Sequence, residues 1–147
     1  MSESRASSCL FCRIARGELP SAKVFETEHL LAFLDTAPVS RGHTLLIPKG
    51  HYENVIEAPP EVLADLARHL PAVARGVLKA TGAEGLALWQ LNGRCAGQVV
   101  MHVHFHILPR SGGDSVRFDL PKGGQYAEGE AARLAAAIAR DIPRSGG

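Results

Sequence analysis

The chain has 147 residues, of which 46% are hydrophobic and 21% charged, so it is long enough to bury one core. Its 16 basic residues nearly balance its 15 acidic ones, which argues against a nucleic-acid binder and against an acidic disordered chain. No apolar run approaches the roughly 20 residues that span a bilayer, so we expect no membrane-spanning helix and no membrane as a partner. The polar start, Met1–Ser8, lacks the apolar segment of an export signal, so we expect a cytoplasmic protein.

The hydrophobic pattern predicts an α+β fold, in which two main helices pack on an antiparallel sheet. A short helix or turn is expected within 8–18, strands at 22–25, 30–34, 44–47, 86–91 and 98–109, and the main helices at 61–81 and 127–140. The strand at 44–47 is apolar on both faces and is therefore expected to be central. We predict a single domain over 1–147, with its core at 9–110 and a C-terminal loop and helix at 111–147.

Three histidines alternate with apolar residues in the predicted strand 98–109: His102, His104 and His106. Residues two apart share one face of a strand, so we expect a row of imidazoles on one face and a packed core on the other. His102 and His106 would lie about 14 Å apart along the strand, too far for one metal ion to bind all three easily. We therefore expect the three rings to have different roles.

The loop that leads into this strand favours phosphate chemistry. It runs from Asn92 to Val99, and its Gly97 lets backbone N–H groups come close to an anion. A neutral imidazole can attack phosphorus without a separate base, and water can hydrolyse the resulting bond.

Taken together, these residues resemble the histidine triad (HIT) family. The family pattern of three histidines alternating with apolar residues is matched in full over 102–108. Further segments, at 9–14, 32–35, 42–49 and 92–98, resemble its Hint-type branch. The resemblance covers roughly 9–110 and implies a HIT-like fold and a homodimer. It also implies an enzyme, a phosphoramidase or dinucleoside polyphosphate-type hydrolase, that cleaves AMP or GMP derivatives at the α-phosphate.

The resemblance implies a role for each matching residue. His104 would be the nucleophile that is transiently nucleotidylated, and His106 would contact the phosphate and the leaving group. The phosphate site would be lined by Asn92, Gly97, Gln98 and the N–H of Val99. Asp35 would bind the ribose hydroxyls through its carboxylate. The base pocket would consist of Phe11, Ile14 and Phe33, for which plain core packing is the alternative.

Val99 departs from the Hint-type pattern, in which a serine often follows the Gly-Gln pair. Valine has no hydroxyl with which to assist a leaving group, so this position disfavours amine leaving groups. The tail after Arg110, which often helps to choose the substrate in this family, shows no resemblance.

Cys9 and Cys12 form a C-x-x-C pair in a chain with three cysteines. Thioredoxin-like chemistry needs such a pair in a βαβ unit, which the pattern does not predict, and a cytoplasmic disulfide is disfavoured. In one bacterial group of HIT proteins, such a pair and two histidines form a structural zinc site, and the matching histidines here are His51 and His102. The resemblance thus implies a structural zinc ion without a part in the chemistry, with a reduced, packed pair as the alternative.

Two other functions fit the same residues. One is a nucleotide-binding regulatory protein with little turnover, and the other is a metal-handling protein whose histidine triad holds labile zinc. His43, just before a predicted strand, is expected to cap or to pack, and Trp89 is expected to lie in the core.

Overall fold

The computed structural model describes residues 2–117 and 121–143, which fall into two compact units, Met1–Val116 and Arg117–Gly147. The first unit contains the helices α1 (Ser2–Ser8), α2 (Leu10–Ala15) and α3 (Pro60–Thr81). Its strands are β1 (Lys23–Glu26), β2 (Leu30–Leu34), β3 (Thr44–Pro48), β4 (Gly85–Trp89) and β5 (Phe105–Arg110), with a 3₁₀ turn at Arg94–Ala96. The second unit contains α4 (Glu130–Asp141). The single domain over 1–147 remains a prediction.

The five strands form one antiparallel sheet in the order β1-β2-β3-β5-β4, which confirms the predicted α+β fold. All of β3 is buried, as its doubly apolar sequence predicts. β5 lies between β3 and β4, so His106 stands opposite Leu45 on one neighbour and Trp89 on the other.

Alternation along β2 and β3 separates two apolar clusters on the two faces of the sheet. On one face, Leu30, Ala32 and Leu46 pack against Leu66, Val73 and Val77 of α3. On the other face, α2 packs against the sheet through this cluster: Phe11, Ile14, Leu31, Phe33, Leu45 and Ile47. The sheet is thus covered on both sides, and α2 determines the shape of the second face.

The long helix α3 agrees closely with its predicted bounds. It begins at Pro60, where the missing N–H of proline costs little, and Gly82 ends it in the left-handed conformation at φ +69°. Pro71 lies inside the helix without ending it. Among the described residues, no helix is both long and apolar enough to cross a membrane.

The predicted strand over 98–109 is wrong in its first half, because β5 begins only at Phe105. Long-range contacts hold the preceding residues in an irregular path. The Val103 N–H donates to the Tyr52 carbonyl (2.7 Å). The Gln98 side chain donates to the Glu53 carbonyl (2.6 Å). His102 and His104 therefore precede the strand, and of the three histidines His106 alone lies on it.

Candidate active site

A cavity of about 470 Å³ opens on the face of the sheet that carries α2. Its volume is typical of a small-molecule site. The apolar part of its lining includes Leu10, Phe11, Ile14, Phe33 and Leu45. Its titratable lining residues are Asp35, His43, His104 and His106. The structure thus brings the predicted base-pocket residues and two of the three triad histidines into one cavity.

His104 is held so that one ring nitrogen is free to react. Its Nδ1–H donates to the carbonyl of His102 (2.6 Å), which leaves the lone pair on Nε2. The edge of the Phe11 ring packs perpendicular to the imidazole, with centroids 5.1 Å apart. Only 5% of His104 is exposed, and this burial lowers the pKa of its imidazole, so the ring is neutral at physiological pH.

A chain of hydrogen bonds fixes the tautomer of His106. The Val39 N–H donates to Nδ1 of His43 (3.1 Å), so the neutral His43 ring carries its proton on Nε2. That Nε2–H donates to Nδ1 of His106 (2.9 Å), which places the His106 proton on its own Nε2. Burial, with smaller contributions from His104 and His43, lowers the pKa of His106 to about 4. His106 is therefore a neutral hydrogen-bond donor. The centroid of its ring lies 4.7 Å from that of His104.

Asp35 follows β2 and places a carboxylate in the cavity lining. Its Oδ1 accepts the N–H of Ala37 (2.8 Å), which orients the side chain. Its Oδ2 lies 3.7 Å from Nε2 of His43. The carboxylate is the only acidic side chain among the described residues that line this cavity, and it can accept hydrogen bonds from hydroxyl groups.

The loop at 92–99 is bonded to the segment that follows His51. Asn92 accepts the Val55 N–H (3.0 Å) through its side-chain oxygen. The buried Gln98 amide donates to the carbonyls of Glu53 and Val100 and accepts the Gly93 N–H (2.7 Å). Asn92 and Gln98 do not line the cavity. Their contact with a phosphate stays a prediction, while their observed contacts are those of residues that hold the loop.

Gly97 and Val99 do line the cavity. Gly97 has φ +93°, a conformation that L side chains rarely adopt, so glycine is needed at this turn. In the described parts of the chain, the Val99 N–H has no hydrogen-bond acceptor. Val99 is 82% exposed, and with its apolar side chain it contributes a backbone donor but no polar side-chain group at the rim.

The four predicted metal ligands come together in a second site. The ligand atoms of Cys9, Cys12, His51 and His102 all lie within 4.8 Å of one another. Cys12 Sγ is 3.3 Å from His51 Nδ1 and 3.4 Å from His102 Nδ1, and Cys9 Sγ is 3.5 Å from His102 Nδ1. Burial and the neighbouring Cys9 thiol raise the pKa of Cys12 to about 12.

The donor set and its spacing fit a tetrahedral zinc ion. Zn–S bonds of about 2.3 Å and Zn–N bonds of about 2.0–2.1 Å place sulfur and nitrogen ligands roughly 3.6 Å apart, close to the observed distances. His102 also donates its Nε2–H to the Pro48 carbonyl (2.8 Å), so its Nδ1 lone pair faces the sulfur atoms.

Two residues of the cavity, His43 and Trp89, have positions there that the sequence does not predict. The sequence predicts that His43 caps or packs, and the residue is buried, yet it also donates to His106. Trp89 was expected in the core, but it lines the cavity, with its ring 6.2 Å from that of His106. The pairing of β4 with β5 brings Trp89 there, and only a correct strand register could have revealed it.

A histidine-lined cavity beside a Cys/His cluster, on an antiparallel sheet in this order, defines the class of protein. The chain belongs to the HIT family, because the HIT domain matches residues 16–113. It is 38% identical over 138 residues to the adenylylsulfatase HINT3 of Arabidopsis thaliana, covering 92% of this chain and 70% of the relative. It is 50% identical over 103 residues to the adenosine 5'-monophosphoramidase hnt1 of Schizosaccharomyces pombe, covering 70% of this chain and 74% of the relative.

Two solved structures share the fold. A HIT family protein from Bacillus subtilis superposes with a TM-score of 0.87 at 39% identity, covering 94% of this chain and 99% of that one. A zinc-bound histidine triad family protein from Mycobacterium smegmatis superposes with a TM-score of 0.73 at 35% identity, covering 92% and 96%. The predicted HIT family membership and HIT-like fold are thereby confirmed.

The low pKa of His106 predicts a pH-dependent stability. An unfolded histidine protonates near pH 6.5, whereas folded His106, which faces His104, His43 and Asp35, protonates only near pH 4. Its contribution to the free energy of unfolding is thus fully present above pH 6.5 and is lost as the pH falls towards 4. We expect His106→Asn to lose less stability than the wild type between pH 7 and 4.5, as measured by urea unfolding. His29→Asn, at a largely exposed histidine, is the control. An equal pH dependence in H106N and the wild type would contradict the assignment.

Proposed function

We propose that this protein releases a nucleoside 5'-monophosphate from a leaving group by substitution at the α-phosphate, through a covalent intermediate on His104. The observation that carries the proposal is the free Nε2 lone pair of His104, fixed by the bond from Nδ1–H to the His102 carbonyl inside the cavity. The adenylylsulfatase and phosphoramidase among the relatives support a nucleotide hydrolase.

In the first step, Nε2 of His104 attacks the α-phosphorus and forms a P–N bond. The bond from phosphorus to the leaving group breaks, and its electron pair departs with the leaving group. The neutral His106 Nε2–H and the Val99 N–H are the donors available to the phosphate oxygens and the leaving atom. In the second step, water attacks phosphorus and the P–N electron pair returns to His104. The proton lost by water balances the one that a basic leaving group takes up.

The cavity favours a purine nucleotide with an AMP or GMP portion. Phe11, Ile14 and Phe33 supply an apolar wall on which a base can stack, and no charged group among them selects one purine over the other. Asp35 lies in the same lining, where its carboxylate is the acceptor for ribose hydroxyls. The proposed binding partner is thus a small nucleotide, and neither a nucleic acid nor a membrane surface is part of the proposal.

Replacing the nucleophile tests the mechanism. We expect His104→Ala to lower kcat by about 10³-fold or more on both adenosine 5'-phosphoramidate and adenosine 5'-phosphosulfate. His29→Ala, at an exposed histidine, should leave both rates unchanged. Rapid quench of the wild type with substrate labelled at the α-phosphate, followed by peptide mapping, should find the adduct on His104.

An adduct on another residue, or none while both substrates turn over, would contradict the assignment. Tight AMP binding without turnover of either substrate would favour a regulatory nucleotide-binding protein. Of the two substrates, only the phosphoramidate has the amine leaving group that Val99 is expected to disfavour.

We further propose that Cys9, Cys12, His51 and His102 bind one structural zinc ion. The spacing of their donor atoms supports this, as does the zinc-bound neighbour. With four protein ligands there is no open coordination position, so the ion would stabilise the fold and supply no chemistry. His51 follows β3 and the two cysteines flank the start of α2, so the site would link the N-terminal segment to the sheet.

Metal analysis tests the site directly. We expect one zinc per wild-type chain, and Cys12→Ser should lose the zinc and unfold at a lower temperature. Cys95→Ser, at the exposed cysteine outside the cluster, should keep both the zinc and the melting temperature. Clearly more than one zinc per chain would instead favour a triad that holds labile metal.

A homodimer and a cytoplasmic location complete the proposal. β4 is an edge strand of the sheet, and its Leu88 is 47% exposed, which leaves an apolar edge for a second copy. Light scattering should give twice the 15.7 kDa chain mass, and Leu88→Lys should give the monomer. A monomeric wild type would contradict the proposal.

A further inference from the structure

His102 belongs to two sites at once. Its imidazole is fully buried among the cysteines of the Cys/His cluster, with Nδ1 3.4–3.5 Å from both sulfur atoms. Its backbone carbonyl accepts the Nδ1–H of His104 at 2.6 Å. The same residue therefore places one group among the metal ligands and another against the ring that we propose as the nucleophile.

The helix α2 makes a second connection between the sites. Cys9 and Cys12 stand at its start, and the residues between them, Leu10 and Phe11, line the nucleotide cavity. The Phe11 ring contacts both imidazoles, with centroids 5.9 Å from His102 and 5.1 Å from His104. The cysteines and one wall of the cavity thus share the same short helix and its N-cap.

This helix depends on its tertiary contacts. It has six residues, no side-chain cap at its N-terminus and no acidic residue in its first turn. A helix so short is not stable by itself in water. Phe11 and Ile14 pack one side of the helix against the sheet. At its N-terminal end, the sulfur atoms of Cys9 and Cys12 contact the imidazoles of His102 and His51.

We propose that the Cys/His cluster is energetically coupled to the nucleotide cavity, with Cys9, Cys12 and His102 as positioning residues for the base-pocket wall and for His104. Loading the cluster with zinc strengthens the binding of AMP. By thermodynamic reciprocity, AMP strengthens the binding of zinc by the same factor. The inference rests on the proposed function, because it takes the cavity to be a nucleotide site.

The first experiment compares zinc-loaded and chelator-stripped wild-type protein by titration with AMP. We expect AMP to bind at least tenfold more weakly to the stripped protein and to recover when zinc is added back. Cys12→Ser should bind AMP like the stripped protein, and His29→Asn, at an exposed histidine outside both sites, like the loaded one. Hydrogen exchange should show that residues 10–15 lose protection together with the zinc. Equal AMP affinity of the loaded and stripped forms would overturn the coupling.

The second experiment starts from loaded wild-type protein and measures the coupling from the zinc side. Zinc transfer to a coloured chelator is measured with and without AMP, and we expect AMP to lower the zinc dissociation constant by the factor found in the first experiment. No effect of AMP would overturn the coupling. If the protein hydrolyses the phosphoramidate but zinc and AMP do not affect each other's binding, the coupling alone is wrong. If zinc and AMP strengthen each other's binding but no substrate turns over, the proposed hydrolase activity alone is wrong. Failure of the loaded protein to bind AMP would overturn both.

Discussion

The hydrogen bond from His104 Nδ1–H to the His102 carbonyl is the constraint on which the site depends. It determines which nitrogen of the proposed nucleophile has the lone pair, and where that nitrogen points. In a regular strand, the carbonyl of residue i points within the sheet towards a neighbouring strand, away from the side chain of residue i+2. The backbone before Phe105 must therefore leave the sheet for this bond to form, and the irregular path over 98–104 meets that requirement.

Two further imidazoles, those of His102 and His43, follow the same principle. In each, a backbone group with a fixed role binds one nitrogen and thereby defines the other. The Pro48 carbonyl takes the Nε2–H of His102, so Nδ1 faces the sulfur atoms. The Val39 N–H occupies Nδ1 of His43, so the proton on Nε2 points to His106. The main chain thus fixes which nitrogen carries the proton in His102, in His104 and, through His43, in His106, and burial lowers the pKa of these three rings.

The sequence predicts those elements whose formation depends on residues close by in the chain. The doubly apolar run of β3, the stripe of α3 and its end at Gly82 all depend on nearby residues, and they lie where the pattern places them. The path over 98–104 depends on Tyr52 and Glu53, some fifty residues away, so alternation alone extends the strand too far. His43 gives only the weak signal of one histidine before a strand. The Cys/His cluster was predicted because its spacing resembles that of a known family, whereas the shared carbonyl of His102 becomes visible only in three dimensions.

The segment after His51 has a consequence for how this protein can vary. Three main-chain groups of this segment hold the loop at 92–99 and the path over 98–104: the carbonyls of Tyr52 and Glu53 and the N–H of Val55. Any residue except proline at position 55 can supply these groups, whereas the Asn54 side chain also holds the segment, because it accepts the N–H groups of Ile56 (2.9 Å) and Glu57 (3.1 Å). Adding or deleting a single residue would shift all three out of register. We therefore expect homologous sequences to keep the length of this stretch more strictly than the identity of residues 53 and 55.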